Sequence, residues 1–314
     1  MTMGTQDLEH FERARSHLGA VAYRLLGTSG EAEDAVQEAF LRWDAAERTT
    51  IERPAAWLTR VVVNLCLHQL DSARVRRESY VGQWLPEPLP PGDPLLGPEE
   101  LAEQRDAVSY AVLDLLEYLP PRERAVLVLR EAFGYSHAEI AETLGTSEAG
   151  SQQALARARG HLRSRRARGA SDPALARRVV ESFLRAAVSG DVERLLTLLA
   201  EDPLSRADGG GERSAARRPI LGREAVAAYL CGIFRPSAAK SRLVPDGADV
   251  HLARIDGDPG LVVVVDGLVW GVIALELEGD AVREVRIQVA PDKLARFSRG
   301  WSDRAPEDPL LHLW

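Results

Sequence analysis

The sequence predicts a multidomain protein: an all-α N-terminal half that ends in a helix-turn-helix, followed by an α+β domain. Three observations carry this. Apolar residues recur at helical spacing through residues 6–80 and again from 99 to 162. Residues 119–168 set a tight turn, Leu144-Gly145-Thr146-Ser147, between a short apolar-faced helix and one whose far end is all arginine. After Arg242 the period changes to two, and Gly- and Asp-containing turns separate the runs. A chain of 314 residues is expected to form two or three domains rather than one core.

The first helix runs over His10–Leu26, with Phe11, Leu18, Val21, Ala22 and Leu25 on its apolar face, and Gly27-Thr28-Ser29-Gly30 ends it. Glu31–Ala46 follows. Arg53-Pro54 opens a third helix with proline in the tolerated first turn; it passes Trp57, Leu58, Val61, Val62, Leu65 and Leu70 to a basic end at Arg74, Arg76 and Arg77. Six prolines in residues 81–98 rule out helix or central strand there. This is an extended linker. Trp84, Leu85 and Leu89 are apolar anchors that a plain spacer would not need, so the linker is expected to dock. Helix resumes over Glu99–Leu119.

In the helix-turn-helix, Gly145 suits a helix end with positive φ and Ser147 suits the next N-cap. Ile140, Ala141 and Leu144 form the apolar face of the short helix, with Ala149 and Leu155 placed to close on it. From Ala149 to Arg168 there are six arginines and no acid, in a chain of net charge −8. The average field does not attract DNA, but a local arginine run can neutralise phosphates. A helical hairpin with a solvated basic end is the competing reading. Turn chemistry, periodicity and charge placement agree on DNA.

Past a hinge at Gly169–Pro173, helices are expected over Ala174–Ser189, over Val192–Leu199 with Asp191 as N-cap, and within Ile220–Phe234. Asp249–Ile255, Leu261–Val265, Leu268–Leu277 and Ala281–Val289 read as strands of an antiparallel sheet. Two distant cysteines, Cys66 and Cys231, exclude a cysteine-rich zinc module and favour a reducing, cytoplasmic setting. The first 15 residues lack the apolar core of a signal peptide. Leu261–Leu277 is too short and too interrupted to span a bilayer. No membrane association, metal or cofactor is implied.

The order of parts resembles the extracytoplasmic-function group of bacterial RNA polymerase sigma factors. GEAEDAVQEAFLRW (30–43) looks like sigma region 2.2, PAAWLTRVVVNLCLHQLDSARVRRE (54–78) like regions 2.3 and 2.4, and residues 119–162 like region 4. YVGQWLPEPL (80–89), Asp208-Gly209-Gly210-Gly211 and Pro291-Asp292-Lys293-Leu294 resemble signatures of a subgroup with a C-terminal SnoaL-like domain, a curved sheet with helices in its concavity. The expected divisions are 1–80 for region 2, 81–103 for the linker, 104–168 for region 4, 173–297 for the SnoaL-like domain and 298–314 for a tail. Six positions depart from the pattern. Ala290 stands where asparagine is common, Gln83 where proline is frequent, His68 where aspartate is frequent, Asp71 in a usually basic stretch, and Gly150 and Ser151 where a bulkier and a basic residue are usual.

The resemblance implies a transcription initiation factor, not an enzyme, with core RNA polymerase and promoter DNA as partners. Asp34, Gln37 and Glu38, spaced to share one helix face, would bind the polymerase. Trp57, Asn64, His68, Arg74, Arg76 and Arg77 would act at the −10 element. Ser147, Glu148, Ser151, Gln152 and Gln153 would reach the −35 bases, with Arg157 and Arg159 on phosphates and Arg122 and Arg124 on backbone. Trp84, Leu85, Pro86 and Glu87 of the linker, with the loops Asp208–Gly211 and Pro291–Leu294, would form a regulatory contact with the C-terminal domain, so that a separate anti-sigma protein is not required. A small ligand in that domain is left open; Asp266, Trp270, His251 and Tyr229 are its candidate pocket residues, each more simply read as structural. The alternatives are a stand-alone helix-turn-helix regulator, or a SnoaL-fold cyclase or isomerase with a DNA-binding part.

Overall fold

A computed structural model describes residues 5–78, 80–97, 109–163, 172–235, 237, 240, 244, 246–303 and 308–313. The chain forms two compact units. One contains residues 1–79, 92–108 and 112–166; the other contains 80–91, 109–111 and 167–314.

In the first unit, α1 (Thr5–Leu26), α2 (Ser29–Ala45) and α3 (Pro54–Glu78) pack on one another. Phe11, Leu18, Val21, Ala22 and Leu25 of α1 are buried with Ala32, Ala35, Val36 and Ala39 of α2 and Leu58, Val62, Cys66 and Leu70 of α3, as the helical spacing requires. Gly27 ends α1 at φ +80°. Next come α4 (Tyr110–Leu116), whose first two residues are counted with the second unit, and α5 (Pro121–Leu127), which runs on into a π-helical turn over Val128–Ala132. The expected helix 99–119 lies partly outside the described residues; its described end stops at Leu116, before the Pro120-Pro121 pair that α4 cannot continue through. The helix-turn-helix is α6 (His137–Leu144) and α7 (Glu148–Arg163).

The second unit orders α8 (Pro173–Ser189), α9 (Val192–Leu198), β1 (Leu199–Asp208), β2 (Ile220–Leu221), α10 (Arg223–Phe234), β3 (Ala248–Ile255), β4 (Asp258–Val265), β5 (Leu268–Glu278), β6 (Ala281–Gln288), α11 (Pro291–Ser302) and β7 (Leu311–Leu313). Among the described residues they form one seven-stranded sheet in the order β2-β1-β6-β5-β4-β3-β7. One face packs on α8, α9 and α10 through Val180, Phe183, Leu195, Leu230, Leu261, Ile273, Val285 and Ile287. This is an α+β layer architecture with helices on one face of the sheet, the architecture that the resemblance implies. Ile255, Val262, Val272 and Ala274 form a second cluster with Leu294 and Phe297 of α11.

Three sequence expectations change. The sheet is mixed, because β1 lies parallel to β6. β1 reads poorly as a strand: Pro203 and a register shift between Leu199 and Leu204 interrupt it, and its end, Ser205–Asp208, is buried on both faces, so burial does not alternate. Pro291–Leu294 is the first turn of α11 and not a loop; proline at N1 starts it. The described residues of the 298–314 tail belong to the domain: α11 continues to Ser302, and Leu311–Leu313 pairs with β3, burying Leu313.

Candidate nucleic-acid interface and linker clamp

On α2, Asp34 and Gln37 are exposed, and the half-buried Glu38 pairs with Arg42 at 2.9 Å. Together they make one acidic outer face on a helix whose other side is core. On α3, Asn64 and His68 are exposed one turn apart. Trp57 is half-buried, with its ring 5.6 Å from that of Trp43. Trp43 is anchored by its indole N–H donating to the Asp7 carbonyl at 3.0 Å, so Trp57 is half core and half surface. The side chains of Arg74, Arg76 and Arg77 lie outside the described residues.

The helix-turn-helix is fixed at both caps. Ser136 and Glu139 form a capping box at the start of α6. Gly145 adopts φ +63° at its end. The Ser147 hydroxyl accepts from the Gly150 amide at 3.0 Å and so caps α7. A Cβ on Gly150 would lie 2.7 Å from Thr146 Oγ1, which accounts for glycine against this turn.

The outer face of α7 carries Glu148, Gln152, Gln153, Arg157 and Arg159, all exposed. Two of the residues expected to contact DNA face inward instead. Ser151 is fully buried, its hydroxyl 2.9 Å from His137 Nδ1, and it lies on the same stripe as Ala154, Leu155 and Ala158. It joins α7 to α6 and cannot reach a base. Arg124 is 2 % exposed and pairs with Glu117 at 2.7 Å, while its Nη2 donates to the Arg24 carbonyl. Burial lowers its guanidinium pKa to about 9, so it stays charged at neutral pH inside the unit. Ala149, expected to close the motif, is exposed; Leu155 does so. Arg157 pairs with Glu123 at 2.8 Å and Arg159 with Glu131, both remaining more than half exposed. Arg122 is exposed.

In the second unit the three short motifs meet at one buried carboxylate. Asp208, at the end of β1, is 0 % exposed. Its Oδ1 accepts from the Tyr80 hydroxyl at 2.8 Å and the Gly210 amide at 2.9 Å. Its Oδ2 accepts from the Leu85 amide at 2.9 Å and from Lys293 Nζ at 2.7 Å. Lys293 also donates to the Leu85 carbonyl at 2.7 Å, and its ammonium sits 4.3 Å from the centre of the Trp84 ring and 4.9 Å from that of Tyr80. Burial first, then the Asp208 carboxylate, push the Tyr80 phenol up, so it remains a donor. The Pro86 carbonyl accepts from the Tyr110 hydroxyl at 2.7 Å and from Gln288 Nε2 at 3.2 Å. Leu85 through Pro90 are all buried, Glu87 and Leu89 included.

The glycines fit close approach. A Cβ at Gly209 would fall 2.1 Å from the Arg213 carbonyl, and Gly210, at φ +67°, lies against Ala290. Asp292 Oδ1 faces the same glycine. Ala290 has no capping side chain; its amide donates to Gln288 Oε1 at 3.0 Å instead.

Two further carboxylates that the sequence reading did not single out take backbone amides. Asp256 accepts from Leu89 N–H at 3.1 Å, and Asp258 accepts from Ala111 N–H at 2.7 Å at the start of α4. Burial raises Asp258 to about 6, opposed by that amide and by Arg286. A positive φ at Asp256 marks the β3–β4 turn that aims both. Arg286, Glu276, Glu284 and Arg206 form a buried ion-pair network nearby, with bonds of 2.6–2.8 Å.

Of the candidate pocket residues, Trp270 and Tyr229 border the helix-covered core, and the Arg213 guanidinium stacks 3.9 Å over Trp270. His251 instead packs edge-on against Trp301 of α11, and Asp266 is exposed in a turn.

This arrangement is that of a two-region promoter-recognition protein with an appended α+β domain, and comparison with known proteins bears out the two regions. The Sigma-70 region 2 family matches residues 10–76, and the family described as Sigma-70, region 4 matches residues 109–162. The ECF RNA polymerase sigma factor SigJ of Mycobacterium tuberculosis is 40% identical over 230 residues, 73% of each chain. The probable ECF RNA polymerase sigma factor SigI of the same species is 32% identical over 286 residues, 89% of this chain and 92% of SigI. The crystal structure of M. tuberculosis SigJ superposes with a TM-score of 0.70 at 32% identity, covering 92% of this chain and 98% of that one. The chain belongs to the extracytoplasmic-function family of RNA polymerase sigma factors. Among the described residues no helix is long and apolar enough to cross a membrane.

Proposed function

We propose that this sigma factor binds core RNA polymerase through the Asp34, Gln37 and Glu38 face, acts at the −10 element through α3 and at the −35 element through α7, and is regulated by its own SnoaL-like domain. The observation that carries the regulatory part is the capture of linker backbone by the C-terminal domain: both polar atoms of the Leu85 peptide unit are held, its N–H by Asp208 and its carbonyl by Lys293. A linker held this way restricts how far regions 2 and 4 can separate. Polymerase binding then requires release of the linker, a population shift between two arrangements. The C-terminal domain serves as a regulator rather than an enzyme, in a cytoplasmic protein for which a separate anti-sigma protein is not needed.

The test is pull-down of core RNA polymerase by the full chain and by residues 1–170, each followed by promoter transcription. Binding and transcription by both forms identify the domain as a tuner; binding by the truncated form alone identifies it as an autoinhibitor. Failure of both forms sinks the polymerase reading and leaves a stand-alone DNA-binding protein.

The −35 reading narrows to Glu148, Gln152 and Gln153, because Ser151 is buried and the Ser147 hydroxyl is engaged in capping α7. Gln can pair bidentately with adenine and Glu can accept from cytosine. Gln152→Ala and Gln153→Ala are each expected to cost about 1–3 kcal/mol of discrimination at one −35 base pair. Transcription from a library of −35 variants measures this. Uniform loss across all variants would instead assign these residues to phosphate.

A further inference from the structure

We propose that the loop Phe133-Gly134-Tyr135 is a latch that holds region 4 closed on region 2, and that promoter binding requires its release as well as release of the linker. The loop leaves the π-helical turn Val128–Ala132, a distortion often found at functional positions. Gly134 turns the chain at φ +70°. The Tyr135 amide donates back to the Leu129 carbonyl at 3.1 Å, and Arg130 donates to the Tyr135 carbonyl at 2.8 Å, so the loop is stiffened from within. Its two rings are thereby presented to α1 and α3. The Tyr135 hydroxyl lies 2.8 Å from His17 Nε2 on α1 and 3.3 Å from Thr59 Oγ1 on α3. Phe133 meets the His17 ring edge-on at 5.0 Å, and the Arg24 guanidinium sits 5.2 Å over Phe133. Outside this contact, Arg53 at the start of α3 pairs with Glu142 of α6 across exposed surface.

Given the sigma reading, on which this inference rests, the closed contact is incompatible with promoter binding on dimensional grounds. The first unit is a compact body of roughly 150 residues, for which a radius of gyration of about 15 Å is expected. Elements centred at −10 and −35 lie ~25 base pairs apart, or about 85 Å along B-form DNA at ~3.4 Å per pair. The faces of α3 and α7 cannot reach both while Tyr135 stays on His17 and Thr59. The loop is one part of a wider contact: α3 also packs on α5 and α6, and the buried Arg124 of α5 donates to the Arg24 carbonyl of α1, so opening separates these groups as well.

The test locks the latch in the full chain. Arg53→Cys and Glu142→Cys, both at exposed positions, are combined with Cys231→Ser and joined by a short, reductively cleavable bismaleimide. Cys66 is fully buried, and burial pushes its thiol up, so it does not compete. With core RNA polymerase, the linked protein is expected to lose promoter-specific transcript by about tenfold or more and to regain it on reduction. As an independent readout, Tyr135→Phe in the same double-cysteine chain, carrying a fluorophore pair instead of the linker, is expected to lower energy transfer between positions 53 and 142. Parental transcription by the linked protein overturns the latch alone, as does unchanged energy transfer in Tyr135→Phe. No transcript from the parent full chain and none from residues 1–170 overturns the sigma reading and the latch with it; where only residues 1–170 transcribe, the energy-transfer readout decides the latch.

Discussion

Asp208→Ala is expected to release the linker and to lower stability more than any other single change in the clamp. The carboxylate is fully buried and accepts from Tyr80, Leu85, Gly210 and Lys293 at 2.7–2.9 Å. Removing it takes from the Lys293 ammonium, whose side chain is 7% exposed, the carboxylate 2.7 Å away. Breaking a buried ion pair by deleting one partner costs about 3–5 kcal/mol. For a unit of this size that is roughly a 10 °C fall in Tm. The Leu85 amide also loses its acceptor, so the loss should concentrate in the linker: hydrogen exchange at Leu85 and proteolysis across Tyr80–Pro91 should both accelerate. Asp208→Asn retains an acceptor but not the charge and should fall between parent and alanine. If the linker is the regulatory element, the Ala variant also transcribes more than the parent at a temperature where both are folded. Unchanged linker protection in Asp208→Ala would remove the basis for the clamp.

The parts of this molecule that the sequence exposes are those governed by local rules. The caps of α6 and α7 are legible because a glycine at positive φ and a serine N-cap act within four residues of themselves. The clamp was reachable only through family motifs. Asp208, Leu85 and Lys293 are far apart in sequence, and nothing local in any one of them points to the other two. β1 was missed because its ordered end is buried on both faces and carries Arg206 and Asp208 there, so its polarity reads as surface. Ser151 was misplaced for a different reason. Its position near the start of α7 suggested a base contact, but its phase with Ala154, Leu155, Ala158 and Leu162 places it on the inner stripe. Helical phase outranks residue polarity, because turning one serine outward would turn the whole apolar stripe with it.

Arg124→Met distinguishes the same two kinds of reasoning by experiment. An arginine beside a helix-turn-helix reads as a phosphate contact. Losing one such contact should reduce the salt dependence of promoter binding by about one unit of log–log slope and leave folding untouched. The observed environment demands the reverse. Arg124 is 2 % exposed, and its Glu117 partner has a side chain only 11% exposed, 2.7 Å away. Methionine keeps much of the volume but leaves that carboxylate buried without its cation, at a cost of about 3 kcal/mol. Urea unfolding of the full chain should therefore shift, while the salt slope of promoter binding by the polymerase complex stays at the parental value. Arg157→Met supplies the contrast. Its side chain is 57% exposed, and the largely buried Glu123 keeps His161 Nδ1 at 3.1 Å when the arginine is removed, so stability should change by about 1–2 kcal/mol, less than in Arg124→Met. If Arg157 holds a phosphate, the salt slope falls instead. A parental unfolding midpoint for Arg124→Met, together with a reduced slope, would return Arg124 to the DNA face and contradict the packing of α5 described above.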